Sequence, residues 1–494
     1  MTQTQGVQIL LKSIKESPLY KIANPESIAF FGASNNFMSM GTQMLDSVKL
    51  LGFEGAVYPI HPKEENVLGF KAYPGITDLP EIPDLAVIVL PTKIVSRIIE
   101  ECGKKGIRQA IVVSGGFKEV GGHGIDLQAE LKQTAARHGI RLLGPNCLGV
   151  ANVHHRFNPT PIPCDCAPGF VGLASQSGSF VTQIFNYLQL HGMGFSTAFS
   201  VGNELNIDMV DCLEYLGTCP NTKVIALYIE GLRRGREFVK TARSIVPHKP
   251  IVALYVGGSE SGRNAAFSHT GAMAGPDRLY DGILKQSGII RAASLTELFD
   301  FCWALGSQPR PKGPGVVIQT HSGGPGATAA DSCGRAGLEI PRLSPETVTK
   351  LRPFVPHTAS INNPIDLTFN KNMNDFYWDI PKLLLEDENT DMLLLYFLAP
   401  PVFIERFLTG TGASSEQAVK DARKIIDDQA ATFIRLADNF DKPILGYTYR
   451  SLQEPFVRKM LDHGIPVYPD PARAARAMGA LRQYALLREK AMAG

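Results

Sequence analysis

Residues 27–31 read Ser-Ile-Ala-Phe-Phe, a run without charge that Gly32 follows at once. Similar short runs, rich in Val, Ile, Leu and Ala, recur about every 25 to 35 residues with helix-like segments between them. Strands that are covered on both faces of a parallel sheet are apolar throughout. The repetition therefore predicts an α/β protein built on parallel sheets.

The runs fall into three sets, separated by two proline-rich connectors at residues 158–163 and 308–314. The predicted strands of the first set are 27–31, 56–60, 85–90, 109–113 and 141–143. Those of the second are 169–174, 196–201, 224–229, 250–256 and 288–291, and those of the third are 315–320, 392–397, 443–447 and 465–468. Because proline-rich connectors break regular structure, we expect three domains, at residues 1–163, 164–310 and 311–494.

The second and third sets resemble a divergent duplication, because the same landmarks recur in the same order. Each first strand runs into Ser-Gly, a later strand begins with Lys-Pro-Ile, and the last follows Gly-Ile. The second set alone has the long Gly- and Ser-rich stretch 257–275. Connections outside strand ends carry function in such folds, so we expect chemistry in this stretch.

Composition excludes several classes of protein. With 49 basic and 47 acidic side chains in 494 residues, the chain lacks the basic field that nucleic-acid binding requires. The longest apolar run, residues 392–404, contains two prolines and is shorter than the ~20 residues of a membrane helix, so we expect a buried strand with its exit loop. The polar N-terminus lacks a signal-peptide core, so we expect a cytoplasmic location.

The eight cysteines include no Cys-x-x-Cys pair, and we expect reduced thiols. The closest pair is Cys164 and Cys166, which has no further cysteine or histidine near it at ligand spacing. We therefore predict loop cysteines there, and no metal site in this chain.

The loops of the first domain point to a nucleotide-like cofactor. The first strand ends in Gly32-Ala33-Ser34, a weak glycine signal whose alternative is a plain tight turn. Lys63 follows the second strand, where a nicotinamide enzyme usually has Asp or Glu for a ribose hydroxyl. A cation there suits a nucleotide with an extra ribose phosphate, either NADP or coenzyme A.

Two more loops follow strands of this sheet, at residues 114–119, which begin with Ser114-Gly115, and at residues 144–147. The carboxyl ends of parallel strands meet at one edge, so these loops would line a cofactor crevice there. Taken singly, each is better explained as a structural turn.

Two Ser-Gly pairs predict phosphate sites. Ser177-Gly178 and Ser322-Gly323-Gly324 each follow a buried strand and open a helix-like segment. Helix starts bind phosphate through their amides and dipole, although N-capping by serine is the better explanation of a single instance. Two such loops at matching positions of duplicated domains favour a pair of phosphate-binding sites.

His269 is the candidate for covalent chemistry. It lies in the Gly- and Ser-rich stretch between Ser268 and Thr270, where little side-chain bulk would block a phosphoryl group. A neutral imidazole accepts a phosphoryl group when its other nitrogen is held by an acceptor. Glu230, at the end of a predicted strand, is the candidate acceptor.

Together these residues resemble the alpha subunit of NDP-forming acyl-CoA synthetases, a group related to succinyl-CoA synthetase. The likeness covers nearly the whole chain. The motifs that carry it are Ser268-His269-Thr270-Gly271, Gly144-Pro145-Asn146-Cys147-Leu148-Gly149, Ser175-Gln176-Ser177-Gly178 and Tyr228-Ile229-Glu230-Gly231.

The resemblance implies a Rossmann-like CoA-binding domain followed by two flavodoxin-like domains. It implies that His269 is phosphorylated, that Glu230 hydrogen-bonds it, and that the two Ser-Gly sites hold the phosphate. The CoA contacts expected on this basis are Gly32, Ser34, Lys63, Pro91, Ser114, Gly115 and Asn146.

The implied reaction converts acyl-CoA, ADP and phosphate reversibly into acid, ATP and CoA. The nucleotide and Mg²⁺ would bind to an ATP-grasp beta subunit in a heterodimer or heterotetramer, because this chain contains no such module. Two alternatives remain open at this stage: a non-catalytic, CoA-responsive regulatory subunit or scaffold, and an NADP-dependent dehydrogenase.

Overall fold

The computed structural model describes residues 13–164, 167–262, 275–357, 359–368, 372 and 375–493. The chain divides into two compact units. The first unit comprises residues 1–189, 193–298 and 491–494 and contains two of the large sheets. The second unit comprises residues 190–192 and 299–490 and contains the third. The three-domain division proposed from the connectors stays a prediction.

Every predicted run contains a strand, and the bounds of the two agree to within two residues at either end. In the first sheet they are β1 (Ser27–Phe31), β2 (Ala56–Ile60), β5 (Leu85–Ile88), β6 (Gln109–Val112) and β7 (Arg141–Leu143), with the separate hairpin β3 (Asn66–Val67) and β4 (Phe70–Lys71). In the second they are β8 (Val150–Ala151), β9 (Val171–Ser175), β10 (Phe195–Ser200), β11 (Val224–Ile229), β12 (Ile251–Tyr255) and β13 (Ile290–Ala292). In the third they are β14 (Val316–Thr320), β15 (Ile365–Asp366), β16 (Met392–Tyr396), β17 (Ile444–Tyr447) and β18 (Val467–Tyr468).

Helices connect these strands. In the first unit and up to its boundary they are α1 (Tyr20–Ala23), α2 (Met40–Leu50), α3 (Thr92–Lys105), α4 (His123–Arg137), α5 (Gly178–Gln183), α6 (Phe185–Leu190), α7 (Met209–Thr218), α8 (Gly235–Ile245), α9 (Asp277–Ser287) and α10 (Leu295–Ser307). Those that follow are α11 (Gly323–Arg335), α12 (Pro345–Leu351), α13 (Ile380–Glu386), α14 (Pro401–Gly410), α15 (Ser415–Ala437), α16 (Pro455–Asp462) and α17 (Pro471–Ala493). Within the described ranges, none of them combines the length and the apolar composition that crossing a bilayer requires.

All three sheets share one strand order. When the parallel strands of each sheet are numbered along the chain, the order is 2-1-3-4-5: β2-β1-β5-β6-β7, β10-β9-β11-β12-β13 and β15-β14-β16-β17-β18. This doubly wound order has its switch point between the first and third strands, where ligands bind at the carboxyl ends. The α/β fold is as predicted, and the matching second and third sheets support the duplication.

The Lys-Pro-Ile landmarks have matching structural roles in the two repeats. The Lys249 ammonium donates to the carbonyls of Leu216 (3.2 Å) and Cys219 (2.6 Å) at the end of α7. Lys442 donates to the carbonyls of Leu385 (2.7 Å) and Asp387 (3.0 Å) at the end of α13. Each lysine thus satisfies carbonyls that a helix leaves unpaired at its C-terminus.

The structure departs from the sequence expectations in several places. The hairpin β3–β4 was not predicted, nor was β15, which is only two residues long, and β8 adds an antiparallel strand to the second sheet through its pairing with β10. The apolar run at residues 392–404 forms β16 and an exit loop at residues 397–400, as predicted, but its last residues begin α14, because proline fits the first turn of a helix. Cys164 is disulfide-bonded, so the expectation of reduced thiols is wrong there.

Gly32 provides a test of the fold at the first strand end. It has φ +95°, and a Cβ there would lie 2.0 Å from the Val89 carbonyl oxygen. We expect Gly32→Ala to lower the apparent Tm by about 5 °C or more. Gly52→Ala is the matched control, since Gly52 also has a positive φ, +78°, but open space around it. Equal Tm losses in thermal unfolding would show that the close approach to Val89 is unimportant.

Candidate active site

A cavity of about 470 Å³ lies where strand-end loops of the first and second sheets meet. Its wall contains six of the residues that the sequence singled out: Pro91, Ser114, Gly115, Asn146, Ser177 and Gly178. Apolar side chains, including those of Met40, Leu90 and Leu148, line it as well. The structure thus brings predicted CoA-binding loops and a predicted phosphate loop to one space.

Close backbone contacts hold these loops together. Ser114 Oγ donates to the Leu90 carbonyl (2.5 Å), and the Asn146 amide donates to the Ser114 carbonyl (2.9 Å). Asn146 has φ +58°, and its Oδ1 would be 3.1 Å from a Cβ on Gly115. Glycine at position 115 therefore lets the Asn146 side chain approach the backbone.

The two Ser-Gly loops have the same hydrogen-bond pattern, although they lie in different units. Ser175 Oγ accepts from the Ser177 amide (3.2 Å) and donates to the Ser177 carbonyl (2.6 Å). Thr320 Oγ1 accepts from the Ser322 amide (3.3 Å) and donates to the Ser322 carbonyl (2.9 Å). Neither serine side chain caps the helix that follows, so serine capping does not explain the two motifs.

A second, smaller cavity of about 160 Å³ contains Glu230. Gln176 connects it to the larger one, since Gln176, Gly202 and Asn203 line both. Gln176 Oε1 accepts from the amides of Glu230 (2.5 Å) and Gly231 (3.0 Å), and its Nε2 donates to the Gly231 carbonyl (2.8 Å). These bonds fix the backbone on either side of the buried Glu230 carboxylate.

Three further charged residues line the smaller cavity: Lys118, Glu204 and Arg233. Arg233 donates to the carbonyls of Glu204 and Asn203, the latter at 3.0 Å, and its Nε lies 3.6 Å from Glu204 Oε2. Burial raises the pKa of Glu204 to about 7, although the Arg233 charge opposes the shift. Glu204 therefore titrates in the neutral range.

The remaining predicted site residues lie elsewhere. Gly32 and Ser34 form the turn before α2, where the Ser34 amide donates to Thr42 Oγ1 (3.0 Å), and Lys63 is exposed after β2. None of these three is in the wall of the larger cavity. His269 lies outside the described residues.

In the second unit, Ser322, Gly323 and Gly324 begin α11 at the carboxyl end of β14. His321, just before them, stacks on Phe376 with ring centroids 3.6 Å apart. Burial lowers the pKa of His321 to about 3, so its imidazole is neutral. Asp366 Oδ2 would lie 3.4 Å from a Cβ at Gly323.

Sequence reasoning placed Lys118 in a crevice loop without giving it a role, and it missed Asn203, Glu204 and Arg233. A usable signal existed, because residues 202–204 follow β10 and Arg233 follows β11 at the same sheet edge as the predicted loops. Within the described ranges, no group of three or more His, Cys, Asp or Glu side chains is arranged to hold a metal ion.

Comparison with known proteins agrees with this arrangement. Residues 26–153 match a CoA binding domain, and residues 168–305 match a succinyl-CoA ligase-like flavodoxin domain. The chain is 36% identical to the alpha subunit of acetate–CoA ligase (ADP-forming) II from Pyrococcus furiosus, over 94% of this chain and 97% of that one. The ADP-forming acetate–CoA ligase I of Archaeoglobus fulgidus is 35% identical over 94% of this chain, which spans only 64% of that relative.

A solved structure has the same fold over nearly the whole chain. It is the dinucleotide-forming acetyl-coenzyme A synthetase 1 of Ca. Korarchaeum cryptofilum in complex with phosphate and ADP. Its TM-score is 0.83 at 34% identity, covering 96% of this chain and 98% of that one.

The two domain matches and the strand-end cavities define an acid–thiol ligase of the succinyl-CoA ligase type. Within that class, the chain belongs to the family of ADP-forming acyl-CoA synthetases and corresponds to their alpha subunit. This finding favours the ligase interpretation over an NADP-dependent dehydrogenase.

The raised pKa of Glu204 predicts a pH-dependent stability. The folded protein holds this proton more tightly than the unfolded chain, whose pKa is near 4.5, so stability falls as pH rises from about 4.5 to about 7. We expect Glu204→Gln to raise the free energy of unfolding by about 2 kcal/mol at pH 8 and to change it little at pH 4. The measurement is denaturant unfolding at both pH values.

Glu130→Gln is the control for this prediction, because Glu130 is exposed on α4. It should leave stability unchanged at both pH values. If Glu204→Gln were equally stabilising at pH 4 and pH 8, the titration of Glu204 would not be the cause.

Proposed function

We propose that this chain performs the thioester and phosphohistidine steps of an NDP-forming acyl-CoA synthetase. In the overall reaction, acyl-CoA, ADP and phosphate are converted reversibly into carboxylic acid, ATP and CoA. The observation that carries the proposal is the pair of cavities joined at Gln176, one with the predicted CoA and phosphate loops and the other with Glu230.

The first step takes place in the larger cavity. Phosphate attacks the thioester carbonyl, the C–S bond breaks, and CoA leaves as acyl phosphate forms. Ser114, Gly115, Asn146 and Pro91 would contact the thiol end of CoA, and the loop at Ser177 and Gly178 would hold the phosphate through its amides. We keep Gly32, Ser34 and Lys63 as proposed contacts for other parts of CoA.

The second step transfers the phosphoryl group to His269. A ring nitrogen forms a bond to phosphorus while the bond from phosphorus to the acyl oxygen breaks, and its electron pair leaves with the carboxylate. The imidazole retains its N–H proton, and the Glu230 carboxylate would orient that group and stabilise the positive ring. The second phosphate-binding site would be formed by Ser322, Gly323 and Gly324.

The third step passes the phosphoryl group to ADP on a partner. The Pyrococcus furiosus relative, of which this chain covers 97%, is named an alpha subunit, and on that basis we propose an ATP-grasp beta subunit as the partner, in a heterodimer or heterotetramer. Mg²⁺ would bind there with the nucleotide, where it neutralises phosphate charge. Positioning and charge neutralisation are the main demands of phosphoryl transfer.

Phosphate labelling tests the assignment of His269 and Glu230. Incubation of the full chain and its partner with acetyl-CoA and [³²P]phosphate should give an acid-labile label on this chain. We expect His269→Asn to abolish the label, and Glu230→Gln to slow labelling about 100-fold because the positive ring loses its counter-charge.

His123→Asn is the control, since the His123 side chain is 74% exposed on α4. It should be labelled at the wild-type rate. Labelling of the His269→Asn protein would contradict the assignment of His269. A wild-type chain that binds CoA without ever being labelled would contradict the catalytic proposal and leave the CoA-responsive scaffold as the explanation.

A further inference from the structure

The smaller cavity contains two cations to which the steps above give no role. Lys118 Nζ and Arg233 Nη2 both donate to the Asn203 carbonyl oxygen, each at 3.0 Å. We call Lys118 and Arg233 the cation pair. Both line the same 160 Å³ cavity as Glu230.

The cation pair has hydrogen-bond donors beyond those that the described contacts use. An ammonium has three N–H groups and a guanidinium has five. Lys118 uses one on the Asn203 carbonyl, while Arg233 uses two on carbonyls and directs Nε toward Glu204 Oε2 at 3.6 Å. The remaining donors belong to side chains of the cavity wall and are available to a ligand inside it.

Carboxylates lie close to the cation pair, but other groups also engage them. Burial lowers the pKa of Lys118, and repulsion from Arg233 lowers it further, whereas the charges of Glu204 and Glu119 oppose the shift. Glu119 accepts from the Gly116 amide (2.6 Å) and from Asn203 Nδ2 (2.6 Å), so its carboxylate also holds the loops. Glu204 is only partly ionised at neutral pH, as its raised pKa indicates.

The size and the connection of the cavity indicate what it holds. A volume of about 160 Å³ equals roughly five water-sized groups, and a phosphate group has five heavy atoms. Gln176, Gly202 and Asn203 line both cavities, so the cation pair lies in the cavity next to the one that contains the Ser177 loop.

We propose that Lys118 and Arg233 form an anion site that binds the phosphoryl group beside Glu230 and neutralises its charge during transfer. This inference rests on the proposed function and adds two residues to it. In the transfer step the phosphoryl oxygens keep a charge of about −2 while the P–O bond breaks and the N–P bond forms. Two cations match that charge, and Arg233 contacts the reacting group while Glu204 positions Arg233.

Arg233→Met tests the proposal, with Arg236→Met as the matched control because Arg236 is exposed on the next helix, α8. Two quantities are measured on the full chain with its partner: equilibrium binding of [³²P]phosphate, and the rate of acid-labile labelling from acetyl-CoA and [³²P]phosphate. We expect Arg233→Met to weaken phosphate binding about 10-fold and to slow labelling about 100-fold or more. Lys118→Met should act in the same direction, and Arg236→Met should match the wild type.

A structural role for Arg233 gives a different result. If Arg233 only held the loop at residues 203–204, Arg233→Met would lower Tm and CoA affinity together, and Arg233→Lys would not restore labelling. Either that pattern or unchanged phosphate binding overturns the anion site. If the wild-type chain were never labelled, the phosphohistidine proposal would fail, whereas the binding comparison would still decide whether the cation pair holds phosphate.

Discussion

The backbone contacts between residues 144–151 and β10, with the loop after it, hold the two cavities side by side. β8 pairs with β10, the Ser200 amide donates to the Gly149 carbonyl (3.0 Å), and the Asn203 amide donates to the Pro145 carbonyl (2.8 Å). A Cβ at Gly202 would lie 2.3 Å from the Pro145 carbonyl oxygen. A loop that begins in the first sheet is thereby fixed against the second, and the edges of both sheets can serve one reaction.

The two cavities differ in electrostatic character, which suits successive steps of one transfer. The larger one presents hydroxyls, amides and apolar side chains, as a thioester and a pantetheine arm require. The smaller one has two cations and two carboxylates around a small volume. The neutral side-chain amide of Gln176 lies between them and bonds to the Glu230 loop. In the proposed reaction, the phosphoryl group would move from the amides and hydroxyls of the larger cavity to the charged side chains of the smaller one.

Much of the fold could be predicted from the sequence, because strands that are buried on both faces, such as β1 and β11, contain no charged residue and are mostly apolar. β15 was not predicted, because a strand of two residues is too short to show a recognisable sequence pattern. The cavity wall at Ser114, Asn146 and Ser177 followed from the strand-end rule. The strand-end rule did not identify Glu204 and Arg233, because their role depends on contacts between loops that are distant in sequence. A lone charged residue more often faces solvent.

The two Ser-Gly loops have the same hydrogen-bond pattern but different middle residues. Ser175-Gln176-Ser177 and Thr320-His321-Ser322 share the hydroxyl bridge, so Gln176 and His321 occupy equivalent positions. Gln176 bonds to the loop after β11, whereas the neutral His321 stacks on Phe376. Since the hydroxyl bridge sets the backbone at both helix starts, the two loops have one shape although their middle residues differ. In the second sheet the middle residue accepts from the Glu230 and Gly231 amides, and in the third it packs against an aromatic ring before the helix start.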